Sequence, residues 1–384
     1  MAKKIFFYLI TILFFFIFCL YSLEILLAFW NHSSIKSKKW QNLERGRLSI
    51  YEKEKKVDDN TTLTISPINF LKDENLSILP LAGFPNKKTI NCNELGYWSK
   101  FNSDQYGFNN PKEEWSKSEY EYVLIGDSFL LGDCVNYPDD ITNQIRAKLN
   151  SNNNKSGVLN LGYGGNGPLI EYASLKEYFP NKKVNKILIF YSEANDFNDF
   201  NLEIENPILR KYFDNENFSQ DLKNKQNEID QILLKKLNSE IEKKNDKRLV
   251  RFNEIKFSRL LKLSNLRHRL LWQFNLVLIK EGESNKLKPE NEELLKDLFN
   301  KIKIFANQKN SDLYFIFLTG FPGNSEGEKI FNIINSLNIP IINIKEEVFD
   351  KHQDPLSLFP LRKAGHYNEE AYDLIAKKII ELTK

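Results

Sequence analysis

The sequence predicts an α/β fold in which a doubly wound parallel sheet is preceded by an apolar helix and interrupted by a helical insertion. The first observation is a short apolar run at residues 122–125, typical of a strand that is buried on both faces of a parallel sheet. The second is its end at Gly126-Asp127-Ser128, where a glycine permits a sharp turn. The third is the alternation of strand-like and helix-like segments that follows, which implies parallel strands joined by right-handed crossovers.

The chain begins with a long apolar segment, residues 5–30, in which Glu24 is the only charged residue. About 20 apolar residues are enough to cross a membrane as a helix. A cleaved signal peptide is the alternative, but its apolar core is usually about 7–15 residues long and ends in small residues, unlike residues 26–30 here. We therefore predict a retained single-pass anchor over residues 1–31, with residues 5–30 in the lipid bilayer. Lysines flank the segment on both sides, so their count does not decide its orientation.

The overall composition fits a folded domain, with 41% hydrophobic and 27% charged residues. The net charge is only +3, and the basic residues are spread among nearly as many acidic ones, which argues against a nucleic-acid partner. Residues 32–118 are predicted to form a stalk and a loop-rich preamble packed on the core, because prolines interrupt their apolar pieces. The main domain is predicted to cover residues 119–384.

Strand-like and helix-like segments alternate through this domain. Further strands are predicted at 158–161, 186–191, 313–318 and 339–344, and helices at 140–149, 169–178, 291–307, 329–337 and 368–382. An insertion at about 201–285 is rich in Lys, Glu and Asn, with apolar residues at helical spacing such as Ile229, Leu233 and Leu237. It is interpreted either as a lid over a site or as a solvated helical surface.

Polar or small residues follow three of the strands, and a histidine precedes the final helix. In a doubly wound sheet the carboxyl ends of the strands meet at one edge, so we expect these residues to converge there. An ester-cleaving serine site needs a nucleophile, a base and hydrogen-bond donors for the oxyanion. Ser128 is the candidate nucleophile and His366 the candidate base. The candidate donors are the backbone N–H groups of Ser128 and Gly165 and the side-chain amide of Asn195.

Each candidate has a structural alternative. Ser128 also fits a helix cap, and Asn195 fits a turn cap. The glycine-rich turn at 162–167 also fits a phosphate-binding loop, but no Walker-type lysine follows it. His352 is the rival base. No group of His, Cys and Asp residues has metal-ligand spacing, so we predict no metal and no cofactor.

The ordered blocks of the main domain resemble the SGNH, or GDSL-like, hydrolase family over about residues 120–384, with the insertion set aside. The matching blocks are Gly126-Asp127-Ser128, Asn160-x-Gly162 through Gly165, Asn195-Asp196 and the late His366. The resemblance implies a flavodoxin-like three-layer fold. It also implies that Ser128 is the nucleophile, His366 the base, and Ser128, Gly165 and Asn195 the oxyanion hole, with Gly126, Asp127 and Asp196 as supporting motif residues. Residues 103–108 are also similar to membrane-anchored or exported members tied to polysaccharide acetylation, such as alginate acetylation proteins.

Two positions depart from the family pattern. The third block normally opens with glycine but has Glu193 here, which is tolerable if the turn avoids positive φ. The family usually has an aspartate three residues before its histidine, where this chain has Lys363. Without a carboxylate to orient the imidazole, a triad is reduced to a dyad. We hypothesise that Asp354, the nearest upstream acid, fills this role if residues 355–365 form a compact loop.

Outside the apolar segment the cysteines are Cys92 and Cys134. Two thiols in an exported domain form a natural disulfide, whereas two unrelated free thiols are the alternative. We favour the disulfide, which would tie the preamble to the loop after Ser128. It would also place the domain on the oxidising, periplasmic or extracytoplasmic side of the inner membrane.

The sequence therefore predicts a serine esterase that hydrolyses a carboxylic ester, with an acyl (acetyl) group on a carbohydrate as the expected substrate. An O-acetyltransferase of a cell-surface polysaccharide would form the same acyl-enzyme, so the motifs do not separate the two activities. A non-catalytic scaffold with a degenerate site is the third interpretation, and Lys363 is the residue that favours it.

Overall fold

The computed structural model describes residues 2–37, 39–151, 155–251, 261–263, 266–267, 286–319, 327–362 and 365–384. Lys363 and most of the second half of the predicted insertion lie outside these residues. The chain divides into two compact units, residues 1–46 with 239–284 and residues 47–238 with 285–384.

The N-terminal segment is helical. Helix α1 (Ala2–Ser37) contains the predicted apolar segment, and helix α2 (Lys39–Lys55) follows it. Lys3–Leu27 is long and apolar enough to cross a membrane, with a mean hydropathy of 2.5, although a signal sequence meets the same criteria. The carboxylate of Glu24 accepts a hydrogen bond of 2.7 Å from the backbone N–H of Leu266, which reduces the cost of placing this charge in an apolar helix. The membrane anchor remains a prediction from length and composition.

A small sheet organises the preamble. Strand β1 (Thr61–Leu63) pairs in parallel with β2 (Lys88–Ile90), which pairs antiparallel with β3 (Lys100–Asn102). The turn-rich segment after β3 folds around the buried carboxylate of Asp104, which accepts hydrogen bonds from the backbone N–H groups of Tyr106 and Phe108 and from the Asn110 amide. The same amide donates to the carbonyl of Asn160 in the main domain at 2.8 Å. This hydrogen bond joins the turn-rich segment to the main domain.

A five-stranded parallel sheet forms the centre of the main domain. Its strands are β4 (Glu119–Gly126), β5 (Gly157–Asn160), β6 (Lys183–Ser192), β7 (Asp312–Leu318) and β8 (Ile341–Asn343), arranged in the order β5-β4-β6-β7-β8. The chain moves outward from β4 to β5 and then reverses through β6 to β8. This reversal creates a crevice at the carboxyl end of β4, where open α/β sheets bind their ligands. The predicted doubly wound parallel sheet is confirmed.

Helices cover both faces of this sheet. The α-helices described after β4 are α3 (Ser128–Leu131), α4 (Ile141–Ser151), α5 (Pro168–Tyr178), α6 (Asp196–Glu203), α7 (Pro207–Asp214), α8 (Gln226–Arg251), α9 (Glu292–Gln308), α10 (Gly327–Ser336) and α11 (Glu369–Leu382). Helices α4 and α11 pack together, and Ile145 and Ile375 from them join the core formed by the side chains of Leu124 and Phe190. Helix α5 packs against β4, α6, α7 and α9. Burial of these apolar helix stripes holds the layers together, since apolar burial is the main favourable term in folding.

The first part of the predicted insertion belongs to the main domain. Residues 201–238 lie in the larger unit, and Ile229, Leu233 and Leu237 are buried on one face of α8. Their spacing of four residues places them on one side of a helix, so the helical periodicity was interpreted correctly. This face of α8 therefore packs within the larger unit.

Candidate active site

Ser128 lies at the point where β4 ends and α3 begins. The preceding Asp127 caps the helix, because its side chain accepts a hydrogen bond of 2.9 Å from the backbone N–H of Phe129. Gly126 is required at this turn, since a methyl group there would lie 2.8 Å from Cβ of Phe190. The strand end and the cap together place the hydroxyl of Ser128 at the crevice edge of the sheet.

His366 lies beside Ser128, although the two residues are 238 positions apart in the chain. Nε2 of His366 is 2.9 Å from Oγ of Ser128. The loop that carries His366 ends at Asn368, whose side chain caps α11 by accepting from the backbone N–H of Ala371. The predicted juxtaposition of these two side chains is present.

The carboxylate on the other side of the imidazole is Glu94. Its Oε1 lies 3.0 Å from Nδ1 of His366, and its Oε2 accepts a hydrogen bond of 3.1 Å from the backbone N–H of the same residue. Glu94 therefore fixes both the ring and the backbone of His366. Because Nδ1 faces a carboxylate, it carries the hydrogen when the ring is neutral, and Nε2 then has a free lone pair that faces Ser128.

The hypothesis that Asp354 orients His366 is wrong. Its two carboxylate oxygens accept hydrogen bonds from Nη1 and Nη2 of Arg362, at 2.6 and 2.8 Å, and this exposed pair lowers the pKa of Asp354. The rival base His352 is also engaged elsewhere, since its Nδ1 accepts from the backbone N–H of Asp354 and its Nε2 lies 3.8 Å from Oε1 of Glu370. Neither residue takes part in the contacts of Ser128 described above.

The predicted disulfide between Cys92 and Cys134 is confirmed. It joins the segment that contains Glu94 to the loop that follows α3. In the sequence, the predicted disulfide indicated that the segment around Glu94 could reach the loop after Ser128. Glu94 itself lies in the preamble, far from the position just before the histidine where the resembled family has its aspartate. The Cys134 sulfur, Glu94 and His366 present donor atoms within 4.8 Å of one another, but a sulfur in a disulfide is not the thiolate that a metal ion needs.

A second carboxylate stands near Nε2 of His366. Oδ2 of Asp133 is 3.7 Å from this nitrogen, while Oδ1 accepts a hydrogen bond of 2.7 Å from the side-chain amide of Asn91. Burial by itself lowers the pKa of His366, but the hydrogen bond that His366 donates to Glu94 and the negative charges of Asp133, Glu94 and Asp127 outweigh it and raise the pKa to about 9. The contact has the opposite effect on Glu94. Burial by itself would raise the pKa of Glu94, but the hydrogen bonds and the positive charge of His366 hold this pKa below its usual range. The pair therefore behaves as an ion pair in the resting site.

The candidate oxyanion donors differ in how they are held. Gly165 has φ +78°, and a methyl group at this position would lie 3.0 Å from Cβ of Ser66 in the preamble. The amide of Asn195 accepts from the hydroxyl of Ser192 at 2.8 Å and donates to Oδ2 of Asp199 at 2.6 Å. Asn195 is thus oriented by its neighbours on both sides, and a bound oxyanion would share its amide hydrogens with Asp199.

The remaining motif positions have structural contacts. Asp196 accepts a hydrogen bond of 2.6 Å from the backbone N–H of Ser192 and thereby closes the turn after β6. Glu193 does not have a positive φ, and its carboxylate accepts from the hydroxyl of Thr319 at 2.6 Å. This turn therefore accommodates a residue other than glycine at position 193.

Buried carboxylates support the floor of the site. Glu203 accepts hydrogen bonds from the backbone N–H groups of Gly167, Leu169 and Ile170, and so fixes the glycine-rich turn to the start of α5. Burial raises the pKa of Glu203 to about 8 and that of Asp199 to about 7, and nearby negative charges add to both effects. Burial likewise raises the pKa of Asp127 to about 6. These groups are therefore protonated more readily than ordinary surface carboxylates.

Cavity size does not point to this site. A cavity of about 700 Å³ lies on the preamble, lined by residues such as Lys87, Lys112, Phe101 and Tyr137, and its lining does not include Ser128 or His366. The arrangement of polar atoms, and not the volume, identifies the candidate site.

The sequence matches no protein-family model and no curated protein. Among solved structures, it is similar to the acetyl xylan esterase AlAXEase, with a TM-score of 0.38 and 9% identity over 69% of this chain and 100% of that one. It is also similar to a lipase/acylhydrolase from Enterococcus faecalis, with a TM-score of 0.37 and 10% identity over 69% of this chain and 95% of that one. A third is an acetylxylan esterase from Geobacillus stearothermophilus, with a TM-score of 0.36 and 12% identity over 69% and 95%.

Proposed function

We propose that this chain is a serine esterase in which Ser128, His366 and Glu94 act as nucleophile, base and orienting acid. The observation that carries the proposal is the continuous path of contacts from Oγ of Ser128 through both ring nitrogens of His366 to Oε1 of Glu94, at 2.9 and 3.0 Å. A structural serine cap alone would not need a histidine and a carboxylate aligned behind it. Glu94 also weakens the scaffold interpretation, because it supplies the carboxylate that Lys363 appeared to remove.

In the proposed reaction, His366 takes the proton of Ser128 as Oγ attacks the ester carbonyl carbon. The backbone N–H groups of Ser128 and Gly165, with the amide of Asn195, would stabilise the oxyanion. The protonated ring then gives its proton to the leaving alcohol, and an acyl-enzyme remains. Loss of one oxyanion donor typically lowers kcat about 100- to 1,000-fold.

The proposed substrate is an acyl group, such as acetate, on a carbohydrate, which follows from the family resemblance of the motifs. Water as the second nucleophile makes the enzyme an esterase, and a sugar hydroxyl makes it an O-acyltransferase. Incubating the purified protein with an acetyl donor, with and without an oligosaccharide, distinguishes free acetate from acetylated oligosaccharide as the product.

The test of the serine itself is a fluorophosphonate probe on the full-length protein in detergent micelles. We expect labelling of the wild type and none of Ser128→Ala. Labelling that persists in this variant, or a folded wild type that is not labelled, would overturn the proposal.

We also propose that the catalytic domain is held outside the cytoplasm by α1. The disulfide supports this location, because such bonds persist in oxidising compartments. Protease digestion of intact spheroplasts should remove the domain, whereas a cytoplasmic orientation would leave it protected until the membrane is lysed.

A further inference from the structure

The nitrogen of His366 that faces Ser128 also faces Asp133. Nε2 is 2.9 Å from Oγ of Ser128 and 3.7 Å from Oδ2 of Asp133. Glu94 occupies the opposite nitrogen, so the proposed triad does not use Asp133. A carboxylate at this distance is too far for a good direct hydrogen bond with Nε2 but leaves space for a small oxygen-bearing group to contact both.

Asp133 is fixed in this position by the preamble. Its Oδ1 accepts a hydrogen bond of 2.7 Å from the amide of Asn91, and the Asn91 amide oxygen accepts one of 3.1 Å from the hydroxyl of Thr64. The side chain of Asp133 remains 14% exposed, so it lines the site and is not sealed in the core. A methyl group on Gly164, in the glycine-rich turn, would lie 3.9 Å from Oδ1 of Asp133. The carboxylate therefore stands between that turn and the imidazole.

We propose that Asp133 positions the second nucleophile, an inference that rests on the proposed function. After acylation, a nucleophile must donate one O–H to Nε2 of His366 while its oxygen attacks the carbonyl carbon. Water has a second O–H, which can donate to Oδ2 of Asp133, whereas a simple alcohol has none left. In a vicinal diol, such as a sugar ring supplies, the neighbouring hydroxyl can make this second contact. Asp133 therefore selects nucleophiles with two O–H groups: water or a carbohydrate diol.

The step balances without any further reactant. The nucleophile's oxygen forms the new bond to the acyl carbon, and its proton moves to Nε2 of His366. The bond between the acyl carbon and Oγ of Ser128 then breaks, and Nε2 returns the proton to Oγ. The products are the free serine and either a carboxylic acid or an ester of the diol.

The test compares the wild type with Asp133→Asn, using full-length protein in detergent micelles and p-nitrophenyl acetate. Asparagine keeps the shape and can keep the Asn91 contact through its oxygen, but it then turns an N–H toward the nucleophile. The burst phase reports acylation and the steady phase reports deacylation. Because Asp133 also raises the pKa of His366, the rates are compared on the high-pH plateau of each variant.

We expect Asp133→Asn to slow deacylation by water about 10- to 100-fold more than acylation. Both steps lose a charge that stabilises the imidazolium, but only deacylation also loses the hydrogen bond from the nucleophile to a charged group. With ethylene glycol and methanol as competing acceptors, the wild type should favour the diol and Asp133→Asn should lose that preference. Asp139→Asn, a charge removal on the same loop, is the matched control and should change neither.

The outcomes separate the inference from the proposed function. A burst that does not depend on Ser128 would overturn the proposed function and this inference with it. A Ser128-dependent burst in which Asp133→Asn slows both phases equally, or keeps the diol preference, would overturn the inference alone.

Discussion

Replacing Glu94 by glutamine tests the contact that distinguishes this site from a simple dyad. The carboxylate now accepts from two groups of His366, Nδ1–H and the backbone N–H. Glutamine has one oxygen, so it can accept from only one of them, and its NH2 group then faces the other donor. The variant is close in shape but loses both the charge and one of the two contacts.

The magnitude follows from the pKa of His366. A rise from 6.5 to about 9 means that the surroundings favour the imidazolium by about 3.4 kcal/mol in total. The hydrogen bond that His366 donates to Glu94 is the largest of the contributions that raise this pKa, ahead of the charge of Asp133. The imidazolium forms in the transition state, so losing the share of this stabilisation that Glu94 supplies lowers the plateau of kcat/KM, by at most about 300-fold if the whole of it were lost. In serine proteases the corresponding change of the acid to its amide lowers kcat about 10⁴-fold, so the loss expected here is smaller than in those enzymes.

The assay is the pH profile of kcat/KM with a chromogenic acetyl ester. For the wild type we expect activity to rise with pH to a midpoint near 9, because the base must lose its proton before it can act. In Glu94→Gln the midpoint should move toward the ordinary histidine value of 6.5, with a lower plateau. Asp354→Asn is the matched control and should leave both unchanged. An unaltered midpoint and plateau in Glu94→Gln, with Ser128→Ala inactive, would refute the role given to Glu94.

Three further predictions concern the disulfide, the glycine-rich turn and the buried carboxylate of Glu203. Cys92→Ser should lower the free energy of unfolding by about 4 kcal/mol, because the disulfide closes a loop between residues 42 positions apart. It should also reduce activity, because Glu94 is then held less firmly. Activity and a urea midpoint equal to those of the wild type would contradict this prediction. Gly165→Ala should lower kcat and should lower the free energy of unfolding by about 1–2 kcal/mol, because the φ of Gly165 is +78°. Gly164→Ala should be tolerated, because the added methyl group would lie no closer than 3.7 Å to any neighbouring atom. Equal kinetics and equal melting temperatures for the two variants would contradict this prediction. Glu203 binds a proton more tightly in the folded protein than in the unfolded chain, because folding raises its pKa from 4.5 to about 8. The free energy of unfolding should therefore fall as the pH rises through this range, and it should fall less steeply in Glu203→Gln. The same dependence of melting temperature on pH in the wild type and the variant would contradict this prediction.

Local patterns in the sequence were sufficient for the sheet and for two members of the site. The apolar run before Gly126 predicted a buried strand, and the residues after each strand predicted where polar groups gather, because parallel strands end at a common edge. The alternation of elements therefore determined that Ser128 and His366 would lie near each other. The cysteine count likewise predicted the disulfide.

The third member of the site could not be derived in this way. Glu94 belongs to a segment without strand or helix periodicity, and its position depends on how the preamble folds around Asp104 and on the disulfide at Cys92. The sequence rule that looks for an acid just before the histidine led to Asp354 instead, which binds Arg362.

The sequence by itself determined the order of the strands along the chain, the apolar N-terminal segment, and the serine and histidine at the sheet edge. Only the tertiary structure decided which acid contacts His366 and which carboxylate faces the nucleophile. The physical reason is that periodicity records the burial of a local segment, whereas a hydrogen bond between residues 272 positions apart depends on the packing of the whole domain.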